Sequence, residues 1–440
     1  MYIIQAPDVL KTRINLPTSK SISNRALILN ALCKSSKPIH NLSICDDTAV
    51  VVDALRENRK VIDVGAAGTA MRFLTAFLAG QPGDYHLTGS ERMKNRPLKL
   101  LVDALRATGA SIEYVEKEGF PPLQINGQTL KGGEIELDGS VSSQYISALL
   151  MMAPVMTTGL RLHLTGEIVS MPYINLTLQL MNQFGVIVFK EGHTITVLPQ
   201  QYASDDEFTV ESDWSAASYW YEMMALCRDM TSSVTLTGLW PDSLQGDAAI
   251  AGLFDKLGVK TSFFPLSVTL TKKQRTLDGP LICDFTSIPD MAQTVAVTCA
   301  MLHIPFRLTG LQSLKIKETD RLFALKTELR KLGFLLEIQN ENTLVWNGER
   351  CNAEVSPVIE TYDDHRMAMA FAPASLLFNY ELRITNYDTT NGDGNVQRST
   401  LNAQRCSGSG IRIADPHVVS KSYPSFWDDL KKANFVIMEM

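Results

Sequence analysis

An apolar-faced stretch, a glycine and a short strand-like run recur four times in this chain at nearly constant spacing. Val102-Asp-Ala-Leu-Arg-Ala-Thr-Gly109 leads into Ser-Ile-Glu-Tyr-Val, and Leu178-Gln-Leu-Met-Asn-Gln-Phe-Gly185 into Val-Ile-Val-Phe. Ala251-Gly-Leu-Phe-Asp-Lys-Leu-Gly258 and Leu325-Lys-Thr-Glu-Leu-Arg-Lys-Leu-Gly333 behave alike. The four glycines lie 76, 73 and 75 residues apart. Each suits the left-handed turn that closes a helix. A fixed period of this kind marks a fold assembled from copies of one supersecondary unit.

A second series runs in phase with the first. Helical patterns rich in Met, Ala and Leu start near Ser21, Thr69, Ser143, Ser215, Asp290 and Asp364, the last five at intervals of 74, 72, 75 and 74. Few charges interrupt them, as expected of helices buried on all sides. The interval from Ser21 to Thr69 is only 48, so the first unit lacks most of a strand pair. The last unit is longer, and its excess coincides with the polar run 386–410, read as a mobile surface insertion. Alternating strand and helix signals in six units predict α/β architecture. Three units per domain give two similar domains. Residues 1–18 plus 215–440 form the one holding both termini, and 19–214 form the second.

If the units are equivalent, the positive ends of their helices converge on one cleft. The polar residues at those starts are Lys20, Ser21 and Arg25; Thr69 and Arg72; Ser142, Ser143 and Gln144; Asp290; and Asp364, His365 and Arg366. Ser19 or Ser21 can cap the first helix, next to Lys20 and Arg25, an arrangement suited to phosphate or carboxylate. Glu91-Arg-Met-Lys-Asn-Arg96 adds three cations in a turn-like stretch. Lys317 and Arg321 fall on one helical face. Simpler readings exist at this point: Asp290 as a helix cap, Arg72 and Arg366 as structural ion pairs, Asp364-His365 as a cap.

Composition narrows the classes. A net charge of −6 disfavours general attraction to nucleic acid or anionic membranes. No apolar stretch is long enough to span a bilayer, and the N-terminus carries no signal-peptide pattern. The seven cysteines are scattered without Cys-x-x-Cys, which fits a reducing cytoplasm and shows no zinc pattern. No Gly-x-Ser-x-Gly, Gly-x-x-x-x-Gly-Lys or Gly-x-Gly-x-x-Gly occurs, so neither a hydrolase elbow nor a nucleotide cofactor is indicated.

The motifs themselves are specific. Leu16-Pro-Thr-Ser-Lys-Ser-Ile-Ser-Asn-Arg25, Ala67-Gly-Thr-Ala-Met-Arg72, Arg92-Met-Lys-Asn-Arg-Pro97, Gly139-Ser-Val-Ser-Ser-Gln144 and Ser170-Met-Pro-Tyr173 belong to the first half. Gln245-Gly-Asp247, Ile288-Pro-Asp290, Lys317-Glu-Thr-Asp-Arg321, Asp364-His-Arg-Met-Ala-Met369 and Ser420-Lys-Ser-Tyr-Pro424 belong to the second. Over nearly its whole length the chain resembles the 5-enolpyruvylshikimate-3-phosphate synthases. The resemblance implies two domains of three βαβαββ units each, with buried parallel helices in an inside-out α/β barrel arrangement.

It also implies transfer of enolpyruvyl from phosphoenolpyruvate to the 5-hydroxyl of shikimate 3-phosphate, in a cytoplasmic monomer without metal or cofactor. Shikimate 3-phosphate would be held by Lys20, Ser21, Arg25, Ser142, Ser143, Gln144, Ser170, Tyr173, Asp290 and Lys317. Phosphoenolpyruvate would be held by Lys20, Gly68, Arg96, Gln144, Arg321, Arg366 and Lys421. Asp290, Glu318 and Lys20 would exchange protons, and glyphosate would compete with phosphoenolpyruvate. The chain departs from the family at Ala66, usually Asn, and at Met171, usually basic. A sister enzyme acting on UDP-N-acetylglucosamine and a non-catalytic binding protein stand as the alternatives.

Overall fold

The computed structural model describes residues 1–33, 37–56, 59–140, 142–203, 207–377 and 410–440. The run 386–410 therefore lies outside the described residues, apart from Gly410. All four repeat glycines adopt positive φ, between +79° and +98°, where a side chain would strain the backbone. Each closes a turn after a helix: Lys99–Ala107, Met171–Gln183, Ile250–Lys256 and Arg321–Lys331.

Five four-stranded sheets share one spatial order, in which the first two strands are parallel and the next two pairings antiparallel. One runs Val61–Asp63, Gly83–Thr88, Leu123–Gly127, Ser111–Tyr114. A second runs Gly133–Asp138, Leu160–Thr165, Thr194–Val197, Phe189–Glu191. In the half that holds both ends of the chain, Lys11–Asn15 is followed by Ser233–Thr237, Ser267–Lys272 and Val259–Phe264. Leu281–Asp284, Phe306–Thr309, Thr343–Trp346 and Glu337–Gln339 repeat the order. The fifth sheet runs Val358–Ile359, Ile411–Ile413, Tyr2–Gln5, Val436–Glu439, so the first strand of the chain completes the last unit. The short first unit yields only Ile39–His40, paired in parallel with Phe208–Thr209.

Six helices begin at or next to the phased starts: Lys20–Leu32, Gly68–Ala79, Ser143–Met152, Trp214–Leu226, Ala292–Met301 and His365–Phe371. Every residue of Gly68–Ala79 and of Ala292–Met301 is buried, as the lack of charges in those segments requires. Burial is organised in two separate apolar clusters. One takes residues from Ile22 to Val210; the other joins Ile4–Leu16 to Trp214–Phe435.

The chain passes between the two clusters at two adjacent places. Ser19 N–H donates to Glu211 O at 2.9 Å, and Asp213 N–H to Pro17 O at 2.8 Å. Among the described residues, no helix is long and apolar enough to cross a membrane.

Candidate active site

The helix starts come together as their phase implies. One cavity of about 340 Å³ between the two clusters is lined from the first residues of five of the six buried helices. Lys20, Ser21 and Arg25 come from the first, Gly68, Thr69 and Arg72 from the second, and Ser142, Ser143 and Gln144 from the third. Asp290 precedes the fifth, and His365 and Arg366 open the sixth. The start of the remaining helix supplies Ser215 to a smaller adjoining pocket that shares Lys20, Ser21 and Arg366. Arg96, Ser170, Tyr173, Lys317, Glu318 and Arg321 complete the predicted residues around the main cavity. Lys421 stands just behind it, 3.0 Å from Glu318.

Arg321 organises one wall. Its side chain is 2% exposed and meets Asp290 at 2.8 Å, Glu318 at 2.8 Å and Asp364 at 2.6 Å. Asp290 also faces Arg366 at 3.3 Å and Lys317 at 3.6 Å. Asp290 is not a helix cap: no side chain caps the turn Pro289–Met291 that contains it, or the helix that follows. Asp364, by contrast, is a cap, accepting from Arg366 N–H at 2.9 Å while it fixes Arg321. Lys317 and Arg321 do not share a helix face. Lys317 ends the tight turn Gln312–Ile316, and Arg321 begins the next helix, so a bend rather than a helical repeat brings both to Asp290.

Burial alone would push the Asp290 and Glu318 carboxyls up. The surrounding cations win: Arg366, Lys317 and Arg321 hold Asp290, and Arg321 and Lys421 hold Glu318, well below the carboxylate range. The same direction of shift leaves His365 uncharged. Its burial, then the charge of Lys20, keep it well below its ordinary value and so neutral at pH 7.

On the opposite wall, among the described residues, Lys20 has a carboxylate partner in Asp47, and the arginines do not. Arg25 and Arg72 are buried, and among the described residues neither forms an ion pair with a carboxylate. Arg25 donates to Thr177 Oγ1 at 2.7 Å, to Ser147 Oγ at 3.2 Å and to Ser21 O at 2.9 Å. Arg72 donates to Gly68 O at 2.9 Å, and its Nε has no partner. Burial lowers both guanidinium groups to about 10, the second with help from the charge of Arg96. Gly68 lets the guanidinium groups come close to the backbone: a Cβ there would lie 2.7 Å from Arg96 Nη1, so that side chain would have to shift. Around the cavity seven cations face three carboxylates, Asp47, Asp290 and Glu318. Buried positive charge in such excess calls for anionic ligands.

Of the three cations in 91–96 only Arg96 lines the cavity. Arg92 reaches Asp363 at 3.4 Å, and Lys94 reaches Glu116 at 3.0 Å. Ala66 and Met171 do not line it. Asp47, which pairs with Lys20 at 3.1 Å, escapes sequence reasoning. Asp46-Asp47 opens a helix, where acidic residues are ordinary, so only its buried position singles it out. Ser140, inside the motif Gly139–Gln144 but given no role there, also lines the cavity, as do Gln312 and Ser313, which carry no sequence signal of their own. No group of three or more His, Cys, Asp or Glu side chains among the described residues is placed to hold a metal ion.

Fold and site together define a protein of repeated α/β units with a cationic cleft suited to small polyanions. Comparison with known proteins makes this particular. The family described as EPSP synthase (3-phosphoshikimate 1-carboxyvinyltransferase) matches residues 4–59 and 57–392. A 3-phosphoshikimate 1-carboxyvinyltransferase of Bacteroides fragilis (strain YCH46) is 54% identical over 437 residues, covering 99% of this chain and 98% of that one. One from Vibrio cholerae (strain M66-2) is 35% identical over 453 residues, covering 97% of each. The EPSP synthase structure from Acinetobacter baumannii shares the fold, with a TM-score of 0.73 at 20% identity over 100% of this chain and 99% of that one. The chain belongs to the EPSP synthase family.

Proposed function

We propose that this protein transfers the enolpyruvyl group of phosphoenolpyruvate to the 5-hydroxyl of shikimate 3-phosphate and releases phosphate. The observation that carries the reading is the pairing of opposite walls in one cavity. Arg25, Arg72 and Arg96 await anions on one side; Asp290 and Glu318, both ionised, lie among cations on the other. The two substrates bring two phosphates and two carboxylates. Each charge-assisted contact contributes about 1.5–3 kcal/mol, enough to offset the crowding of like charges.

In this reading Ser21, Arg25, Ser142, Ser143, Ser170, Tyr173 and Lys317 hold shikimate 3-phosphate. Lys20, Arg96, Gln144, Arg321, Arg366 and Lys421 hold phosphoenolpyruvate, and Gly68 leaves room for it. Protonation of the methylene carbon makes C2 of phosphoenolpyruvate cationic. Lys20 carries a proton in this structure, whereas Glu318 can give one only after taking it up, as the substrate anions draw Arg321 and Lys421 away from it. The 5-hydroxyl attacks C2 while Asp290 takes its proton, giving a tetrahedral intermediate. Phosphate then leaves C2 as Glu318 or Lys20, whichever gave the proton, takes one back from the new methyl group, and the enol ether is restored. A carboxylate held so far down is a weak base. The substrate anions compete for Arg366, Lys317 and Arg321, and each cation drawn away from Asp290 raises its proton affinity where the proton must be taken. Binding and base activation are thereby linked.

The two apolar clusters support a division into 19–214 and 1–18 plus 215–440, with the helices inside and the sheets outside, as in an inside-out α/β barrel. A monomer in the cytoplasm is the setting this reading adopts. The test is phosphate release from phosphoenolpyruvate, with shikimate 3-phosphate compared against UDP-N-acetylglucosamine as acceptor. Release with the first alone is expected; release only with the second makes the chain a sister transferase.

A further inference from the structure

Asp247 lies outside the cavity, yet two residues that line it are tied to it. It sits in the turn Gly246–Ala249 and is 4% exposed. Its Oδ1 accepts from the hydroxyl of Tyr173 at 2.9 Å, a residue of the opposite half. Its Oδ2 accepts from Ser215 Oγ in a short hydrogen bond. Ser215 Oγ in turn accepts from Arg366 Nη2 at 3.3 Å. The three links share one polarity: Arg366 donates to Ser215, Ser215 to Asp247, and Tyr173 to Asp247. Only a group that accepts at both oxygens satisfies this, and hydrogen bonds aligned head to tail reinforce one another. The turn cannot drift away from Tyr173 without opening the halves. Gly246 packs so closely on the helix Met171–Gln183 that a Cβ there would lie 2.3 Å from Pro172 Cβ.

We propose that Asp247 is a positioning residue serving both substrate sites at once, setting Tyr173 directly and Arg366 through Ser215. The inference rests on the reading above, in which Tyr173 meets shikimate 3-phosphate and Arg366 meets phosphoenolpyruvate. It predicts a branched pattern. Removing Ser215 cuts the Arg366 branch alone, removing the Tyr173 hydroxyl cuts the other alone, and removing Asp247 cuts both. The carboxylate has the accepting form at pH 8: burial raises Asp247 only to about 6, with Arg366 drawing it down and Asp290 and Asp213 pushing it up.

The test is steady-state kinetics on the full chain at pH 8, with melting temperatures recorded for every variant. Ser215→Ala is expected to raise KM for phosphoenolpyruvate about tenfold, the usual cost of one charge-assisted contact, and to leave KM for shikimate 3-phosphate within twofold. Tyr173→Phe should do the reverse. Asp247→Ala should raise both, and adding it to Ser215→Ala should raise only the shikimate 3-phosphate value further. Unchanged KM values in Asp247→Ala, or full additivity for phosphoenolpyruvate in the double variant, overturn the proposal. If Asp247→Ala is too unstable to assay, Ser215→Ala decides, since an unchanged phosphoenolpyruvate KM there overturns it as well. A wild-type protein that releases no phosphate would instead overturn the function proposed above.

Discussion

Arg321 reaches Asp290 at 2.8 Å from a position 2% exposed to solvent. The carboxylate is thus held by a fixed cation and by no helix N–H. Asp290→Asn keeps the shape and removes the charge. Turnover is expected to fall by about 10²-fold or more, as loss of a general base does, with substrate KM values nearly unchanged. The melting temperature should be lower, because the charge that Arg366, Lys317 and Arg321 face is gone. Wild-type phosphate release by this variant would leave Asp290 with a structural role only.

Gly68→Ala tests how tightly the anion wall is built. The new methyl would lie 2.7 Å from Arg96 Nη1 and 3.0 Å from Arg72 Nη1, so both guanidinium groups must shift. KM for phosphoenolpyruvate should rise several-fold or more, while KM for shikimate 3-phosphate changes less than twofold. Equal effects on the two would mean that the wall is not specific to phosphoenolpyruvate.

Glu222 gives a pH dependence with a definite sign. It is fully buried in the helix Trp214–Leu226, and burial, only partly offset by the nearby Thr298 hydroxyl, raises its pKa well above the usual value. Below the unfolded pKa both states carry the proton and nothing is lost. As pH rises past that value the unfolded chain ionises first. Folding stability then falls by up to about 1.4 kcal/mol per pH unit until the folded group also titrates. Glu222→Gln should abolish this slope. Denaturant midpoints of both proteins at pH 5 and pH 7 measure it; parallel changes would show that Glu222 does not carry the effect.

The cleft is bridged in this structure. Ser420 Oγ donates to Asp46 at 2.8 Å, Arg92 meets Asp363 at 3.4 Å, and Ser170 N–H donates to Thr286 O at 2.9 Å. These contacts are few, and the two chain crossings lie side by side, which permits hinged opening. Without ligand, the uncompensated Arg25, Arg72 and Arg96 favour separation from Lys317, Arg366 and Lys421, although Asp290 and Glu318 mute the repulsion. A dianion touching both halves binds the closed form better and shifts the balance. Small-angle scattering should show a smaller radius of gyration with saturating shikimate 3-phosphate; an unchanged value from an open start would remove the hinge from the mechanism.

What the sequence could reveal depended on repetition. Gly109, Gly185, Gly258 and Gly333 announced their turns because one backbone need recurs at one phase. The same phase found the helix starts, and through them Lys20, Arg25, Asp290 and Arg366. Residues that act by contact across distant segments leave no such trace. Asp47 looks like an ordinary first-turn acid, and although the phase marks Ser215 as a helix start, nothing in it points to the links Ser215 makes to Asp247 and Arg366. Lys317 and Arg321 were found for a wrong geometric reason, since four-residue spacing suggests a helix where the chain bends. The short first unit was legible as a missing strand pair, but its pairing with Phe208–Thr209 was not, because two-residue strands carry too little pattern.

The place of the first strand has a consequence for how the molecule is made. Tyr2–Gln5 and Lys11–Asn15 are synthesised ahead of the other described strands, yet their partners, 233–237, 411–413 and 436–439, come far later. The cluster running from Ile22 to Val210 meets no such delay and can condense while synthesis continues. In the other cluster Lys11–Asn15 waits for 233–237, and Tyr2–Gln5 keeps one edge unpaired until 411–413 and the other until 436–439. Assembly of that cluster is therefore the slow, aggregation-exposed stage of biogenesis, and a chain stalled before residue 436 is left with an open β edge along Tyr2–Gln5.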